Sequence, residues 1–292
     1  MRVFVTGATG GIGSAVVAEL LSTGHEVLGL ARSDSSAARL EAAGGSVLRG
    51  DISDPDVLRA GAQQADGVMH LAFGHDFTDF AGAIAQEGAA TRTLGEALLG
   101  TGKPLVMASG TPALPGQVTT EETVANEGTA GGRGVNAQHV IDLAEQGVRS
   151  AVVRLPRSVH QAGVAFGFAG MLINAARRTG VSGFVGDGSQ RWPAVHRLDA
   201  AHLFCLALEH AEPGTVLHAV GDEGDTMRSL ADEIGRQLGL PVEQVPAESC
   251  GFLGTIFGVD QPSSSALTRE RFGWEPTHPS LLADLATGDY PA

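Results

Sequence analysis

Three glycines spaced three apart open the chain, and their neighbours say what they are for. Val3-Phe4-Val5-Thr6 is an apolar, strand-type run that passes directly into Gly7-Ala8-Thr9-Gly10-Gly11-Ile12-Gly13, and a helical run from Ser14 to Leu21 follows. Gly7 permits a sharp turn out of the strand, Gly10 leaves the backbone open to a pyrophosphate, and Gly13 permits close packing of helix on sheet. The helix N-terminus then offers unpaired N–H groups and partial positive charge to phosphates. A glycine motif alone is weak, because the chain holds 41 glycines. Here the strand precedes it, the helix follows it, and a second apolar run, Glu26 to Leu30, comes at the distance of the next parallel strand. A dinucleotide site is expected, with Thr9, Gly11 and Ile12 of the turn in contact with the cofactor.

The end of the second strand discriminates between the two nicotinamide cofactors. An acid there would bind the adenosine ribose 2′-OH and favour NAD(H). This chain reads Leu30-Ala31-Arg32-Ser33-Asp34. A guanidinium pairs well with a 2′-phosphate, so Arg32 and Ser33 point to NADP(H) over NAD(H). A solvated surface arginine would read the same way, and Asp34 lies close enough to blur the distinction.

Apolar runs and helical patterns alternate through the first half. The runs are Val3–Val5, Val27–Leu30, Ser46–Leu48, Gly67–Leu71, Pro104–Ala108 and Val148–Leu155; helical patterns include Ser14–Ser22, Asp56–Gln63, Gly88–Leu99 and Asn136–Gln146. This order predicts an α/β fold, a Rossmann-type doubly wound parallel sheet over 1–156. Residues 157–292 are expected to form mostly a smaller C-terminal substrate-capping lobe, with a segment near 194–220 returning to the core. In such sheets ligands gather at the C-terminal strand ends. The residues there are Asp51 and Ile52 after the third strand, with Asp51 placed to meet the adenine amino group. Leu71, Ala72, Phe73, His75 and Asp76 follow the fourth strand, Ser109 and Thr111 the fifth, and Pro156 the sixth.

Composition narrows the partners. Apolar residues make up 43% of the 292, enough for a sizeable core, and the net charge is −14, from 33 acids against 19 Lys plus Arg. With no basic run, binding to nucleic acid or to an anionic membrane through charge is not expected. No apolar stretch has the length of a bilayer span, and the N-terminus reads as a buried strand rather than a signal peptide. Cys205 and Cys250 lack metal-ligand spacing, no other His/Cys/Asp/Glu grouping shows it, and a reduced cytoplasmic protein is expected.

Thr6-Gly7-Ala8-Thr9-Gly10-Gly11-Ile12-Gly13, Asp51-Ile52-Ser53-Asp54, His70-Leu71-Ala72, Arg154-Leu155-Pro156 and Phe272-Gly273-Trp274-Glu275-Pro276, in this order, resemble the extended short-chain dehydrogenase/reductase superfamily of the epimerase/dehydratase type. The resemblance covers nearly the whole chain. It implies hydride transfer assisted by a Ser/Thr and a Tyr-x-x-x-Lys pair. Ser109 or Thr111 fits the first role. Where the pair should follow, the chain reads Arg133-Gly134-Val135-Asn136-Ala137, so Arg133 replaces the tyrosine and Ala137 the lysine; the single tyrosine of the chain is Tyr290. The resemblance is therefore to an atypical member. It also implies substrate contact at Arg191, Trp192 and His196, with Trp192 as an apolar platform, and a homodimer through the helices near 88–99 and 136–146.

Reducing a ketone leaves an alkoxide that needs a proton or a strong donor. His75 is a candidate relay, Asp76 its orienting partner, and Arg133 a stabiliser of developing negative charge. Phe73 and His160 are further candidates for substrate contact. With enones or iminium compounds a weaker acid or water suffices, which lessens the cost of losing the tyrosine. The expected activity is an NADP(H)-dependent reductase of a small, largely apolar carbonyl, conjugated carbonyl or imine compound. Two alternatives remain: a non-catalytic NADP(H)-binding redox sensor, and an epimerase or dehydratase working by transient oxidation.

Overall fold

The structure is a computed structural model that describes residues 1–74, 79–124, 131–164, 167–250 and 252–290. The chain divides into two compact units. The first comprises Met1–Gly110, Ala125–Arg154 and Ala200–Leu217; the second comprises Thr111–Val124, Leu155–Asp199 and His218–Ala292.

The first unit carries a seven-stranded sheet in the order β10-β6-β5-β4-β1-β2-β3. Its strands are β1 (Arg2–Thr6), β2 (Glu26–Ala31), β3 (Ser46–Arg49), β4 (Gly67–His70), β5 (Pro104–Gly110), β6 (Arg149–Leu155) and β10 (Thr215–His218). The pairings β1–β2, β1–β4, β2–β3 and β4–β5 are all parallel. Strand order reverses between β1 and β4, the point where a crevice opens at the C-terminal ends. Continuous apolar strands such as Val3-Phe4-Val5 are buried on both faces, as a parallel sheet sandwiched by helices requires.

Helices α1 (Gly11–Ser22), α2 (Asp34–Ala42), α3 (Pro55–Gln64), α4 (Phe80–Leu98) and α5 (Gly131–Asp142) supply the crossovers. Phe4, Leu58, Leu94, Leu105, Met107 and Val140 form the centre of the core. The Ser14–Ser22 and Asp56–Gln63 patterns fall within α1 and α3, and Asn136–Gln146 spans the end of α5 and the 3-10 turn Leu143–Gln146 that follows it. Helix α4 starts eight residues before the expected Gly88, because the Asp79 side chain caps it by accepting the Gly82 N–H. Helix α2 was not anticipated; Ser33 caps it through a box with Ser36.

The second unit holds a three-stranded sheet, β11-β9-β7, and a two-stranded one, β12-β8. The strands are β7 (Ser158–His160), β8 (Ser182–Val185), β9 (Arg191–His196), β11 (Asp222–Thr226) and β12 (Val242–Val245). Around them pack α6 (Gly167–Thr179), α8 (Met227–Leu238), α9 (Phe252–Phe257) and α11 (Leu281–Ala286), over a core containing Trp192, Ile173, Leu230, Ile234 and Leu281. Helix α10 (Ala266–Phe272) ends on Gly273 at φ 60°, the left-handed cap that the Phe-Gly-Trp sequence announces.

Thr111–Val124 belongs to this unit and not to the core expected over 1–156. Polar contacts tie it there, among them the Ser264 N–H donating to Thr119 O and the Glu121 carboxylate accepting both the N–H and the hydroxyl of Thr268. Among the described residues no helix is long and apolar enough to cross a membrane.

Candidate functional site

The β1–α1 turn of the first unit is built to the limit of what side chains would allow. Gly7 sits at φ +71°, and a Cβ there would come 2.7 Å from the Ala72 nitrogen. A Cβ on Gly13 would come 2.0 Å from the Gly7 carbonyl oxygen. Gly10 differs: a Cβ would meet only that same oxygen, at 3.2 Å, with nothing else of the protein nearby. Its bare side is open for a ligand. Helix α1 begins at Gly11 with no side-chain cap from Gly10 and no acid in its first turn, so the positive end of its dipole favours an anion there.

The loop after β4 is locked onto this turn. The Thr6 hydroxyl bonds His70 Nδ1 at 2.8 Å and accepts the Ala72 N–H at 3.4 Å. Leu71 and Ala72 are thereby held against Gly7. Burial, reinforced by the Arg133 cation, pushes His70 down to about 4 from 6.5. Between these values the unfolded chain binds the extra proton. Stability should therefore fall as the pH drops from about 6.5 to about 4 and level off below, by about 3 kcal/mol for this group. His196, also pushed to about 4 by burial, adds to the same limb. His70→Asn should make that limb shallower in denaturant titrations across this range; an unchanged slope would contradict the assignment.

At the β2 end, Ser33 caps α2, and the Arg32 side chain is 84% exposed with its guanidinium 3.6 Å from Asp51. Asp51 accepts the backbone N–H and hydroxyl of Ser53; these bonds, with Arg32, hold its carboxyl below the usual range against partial burial. Arg49, which the sequence did not single out, donates to the Ser33 carbonyl and pairs with Asp34 at 2.7 Å. Asp34 is thus paired with Arg49, with its side chain exposed.

Arg133 lies in the first turn of α5. Its Nε and Nη2 donate to the carboxylate of Glu87, which is 1% exposed, and Nη2 also donates to the Ala108 carbonyl at 3.0 Å. The guanidinium lies 4.0 Å over the Phe73 ring, which meets Phe80 edge-on. Asn136, one turn along α5, donates to the same carboxylate. Both N–H groups on Nη1 lack a protein partner among the described residues. Ser109, the residue after Ala108, is buried, and its hydroxyl likewise has none. Ala137, where a lysine was expected, is buried at 2% exposure.

The sequence model of the NAD dependent epimerase/dehydratase family matches residues 3–220. The chain belongs to that family. The uncharacterized protein C2A9.02 of Schizosaccharomyces pombe is 45% identical over 99% of this chain and 100% of its own length. Two solved structures share the fold of this family member. UDP-glucose 4-epimerase of Thermotoga maritima, solved with UDP-glucose, has a TM-score of 0.81 at 20% identity, covering 99% of this chain and 98% of its own. The dTDP-glucose 4,6-dehydratase of Bacillus anthracis, solved in complex with NAD, has a TM-score of 0.75 at 18% identity, covering 99% and 95%.

Several expected site residues of this epimerase/dehydratase-family chain have other employment. Trp192 is fully buried between Phe168 and Phe257, so it is a core residue of the second unit and not an open substrate platform. Arg191 is held bidentately by Asp260. His196 is buried, stacked on His278 at 4.6 Å, and accepts the Leu198 N–H. Thr111 and Pro156 lie buried in the second unit, where the Thr111 N–H donates to the Leu155 carbonyl. His75 and Asp76 fall outside the described residues.

Sequence spacing gave no metal site, but folding gathers His196, Asp199 and His278, with one donor atom from each within 4.8 Å of the others. Hydrogen bonding already engages Asp199 and the Nδ1 of each histidine. Asp199 accepts His278 Nδ1 at 2.7 Å and the N–H groups of Thr277 and His278. The two imidazole planes are parallel within 5°, so their in-plane lone pairs do not converge on one ion.

Glu87, Asn136 and Arg49 were missed by sequence reading. The available signal was Arg133 and Asn136, three apart on one helix face, which together require an acceptor.

Proposed function

We propose that this protein is an NADP(H)-dependent reductase of a small, largely apolar conjugated carbonyl, imine or carbonyl compound, with Arg133 acting where relatives of the resembled superfamily use tyrosine. The observation that carries this reading is the anchored guanidinium: Glu87, Ala108 and Phe73 fix it, and its Nη1 has no partner among the described residues.

The glycine turn fits a dinucleotide, since Gly10 leaves the space that a Cβ would fill and α1 begins with no acid in its first turn to oppose a phosphate. Arg32, with the Ser33 hydroxyl, suits a 2′-phosphate, and Asp51 suits the adenine side. When bound, the reduced nicotinamide supplies the hydride. The chain's own contribution is at the substrate oxygen or nitrogen. Arg133 donates hydrogen bonds to it and carries a permanent positive charge against the negative charge that develops. Ser109 adds a neutral donor.

A guanidinium does not give up its proton near neutral pH. It therefore serves an acceptor that survives until water protonates it. An enolate meets that condition and a simple alkoxide does not; an imine must enter already protonated, as the iminium, so that hydride gives the neutral amine with no further proton needed. Conjugated carbonyls and imines are for this reason preferred over isolated ketones.

Incubation with NADPH, and separately NADH, across ketones, enones and imines tests the reading by cofactor oxidation and product identification. Turnover of enones or imines with NADPH is expected. Tight NADPH binding without turnover of any of them would overturn it in favour of a cofactor-binding sensor. Arg32→Ala should weaken NADPH binding about ten- to a hundredfold, the worth of a charge-assisted hydrogen bond, and leave NADH unchanged. Equal losses for both cofactors would remove Arg32 from the phosphate site.

A further inference from the structure

Glu87 and Arg133 form an ion pair whose two ends differ in access. The Glu87 side chain on α4 is 1% exposed, and the Arg133 side chain on α5 is 20% exposed. Arg133 Nε and Nη2 donate to Glu87 Oε1 at 3.0 and 2.7 Å. Asn136 Nδ2 donates to Oε2 and to the Ile84 carbonyl, both at 3.0 Å. Asn136 therefore holds the carboxylate without adding charge. Among the described residues no other charged side chain bonds to either member. His70, which feels the Arg133 charge, is neutral because burial pushes it down to about 4. Arg92, further along α4, is exposed, where water and salt screen it.

A ligand that reaches Arg133 thus meets the near end of a dipole, not a lone cation. The Glu87 charge lies one guanidinium further away and opposes the attraction of an anion. A carboxylate entering such a site sheds its hydration and recovers little of that cost. An iminium meets the positive end first. An uncharged carbonyl gives up less on leaving water, and its oxygen still accepts a hydrogen bond from the guanidinium. The negative charge of an enolate develops only after that desolvation, against a donor already in place.

We infer that Glu87 is the specificity-determining residue of the Arg133 site: its charge offsets the guanidinium, so the site takes an uncharged conjugated carbonyl compound and rejects carboxylate-bearing and iminium compounds. This rests on the reading of Arg133 proposed above and narrows it to one of its substrate classes. Glu87 is too deeply buried to touch the ligand and acts by charge. An aspartate in its place would keep the selection, and a glutamine would not.

Crotonamide and crotonate have nearly the same shape and differ by one charge. Each is titrated into the full chain labelled with ¹⁵N-arginine, with NADP⁺ and without it. The Arg133 Nε resonance, assigned by its loss in Arg133→Lys, reports binding. In the parent protein crotonamide should bind at least as tightly as crotonate. In Glu87→Gln crotonate should gain at least about tenfold over crotonamide. Glu87→Asp should keep the parent's order. A parent that prefers crotonate about tenfold, a ratio unchanged in Glu87→Gln, or a ratio moved as far by Glu87→Asp would each overturn the inference. If Glu87→Gln does not fold, the order in the parent decides alone. Both probes binding with the wrong ratio would leave the Arg133 reading standing. A resonance unmoved by either probe would remove that reading and this inference with it.

Discussion

Arg133→Met should abolish enone or imine reduction and lower stability by about 3–5 kcal/mol, the cost of removing one member of a buried ion pair. Both effects come from one geometry. The Glu87 carboxylate is 1% exposed and takes its hydrogen bonds from Arg133 and Asn136. Without the guanidinium a buried negative charge keeps only the Asn136 amide. The two effects separate in the double variant Arg133→Met/Glu87→Gln. Removing the charge should restore most of the stability, because replacing both members of a buried pair costs far less than removing one. Turnover should not return, because the oxygen-holding donors are gone. Arg133→Lys should fall between: it keeps the charge but not the two-point grip on Glu87. Denaturant titration and NADPH oxidation, measured on all three variants, decide the matter. A well-folded Arg133→Met protein with unchanged turnover would end the proposed role.

Gly13→Ala should be the most damaging single change at the nucleotide turn. The added Cβ would stand 2.0 Å from the Gly7 carbonyl oxygen, a backbone atom that cannot swing aside. Strand β1 and helix α1 would have to part, at a cost of about 3 kcal/mol or more. Gly10→Ala offers the informative contrast. Its Cβ would approach the same oxygen only to 3.2 Å. The fold should persist, within about 1 kcal/mol, while NADPH affinity drops at least about tenfold because the methyl occupies the phosphate's approach. A Gly10→Ala protein that binds NADPH like its parent would place the dinucleotide elsewhere.

These two positions differ in how openly the sequence declared them. The turn could be read because its signals are local: strand, three glycines and helix occupy adjacent residues, and each glycine has a separate steric reason. The Arg133 site could be read only halfway. The sequence placed an arginine where the resembled superfamily has tyrosine, but Glu87 lies 46 residues away in an Ala- and Gly-rich helix, and nothing local marks it as a partner. The same distance problem misdirected Trp192. A tryptophan between Arg191 and Pro193 reads equally well as platform or core, and only the packing of Phe168 and Phe257, from separate helices, decides. Helix α2 escaped because its cap is a Ser33–Ser36 box rather than the Ser-x-x-Glu form, and its helix is rich in serine and alanine. The His160 contact in the second unit was half legible: His160 stood out, but its partner Asp284 comes 124 residues later.

Trp192 and Trp274 are the only tryptophans of the chain, Tyr290 is its only tyrosine, and all three belong to the second unit. Both indoles are essentially unexposed, at 0% and 1%. Near-ultraviolet light therefore reads the two units unequally. Tryptophan emission follows the melting of the second unit alone, while the unit with the glycine turn contributes no indole or phenol signal. A nicotinamide bound there would be its only strong near-ultraviolet chromophore, so emission and cofactor absorbance, recorded in one cuvette, follow the two units as separate colours.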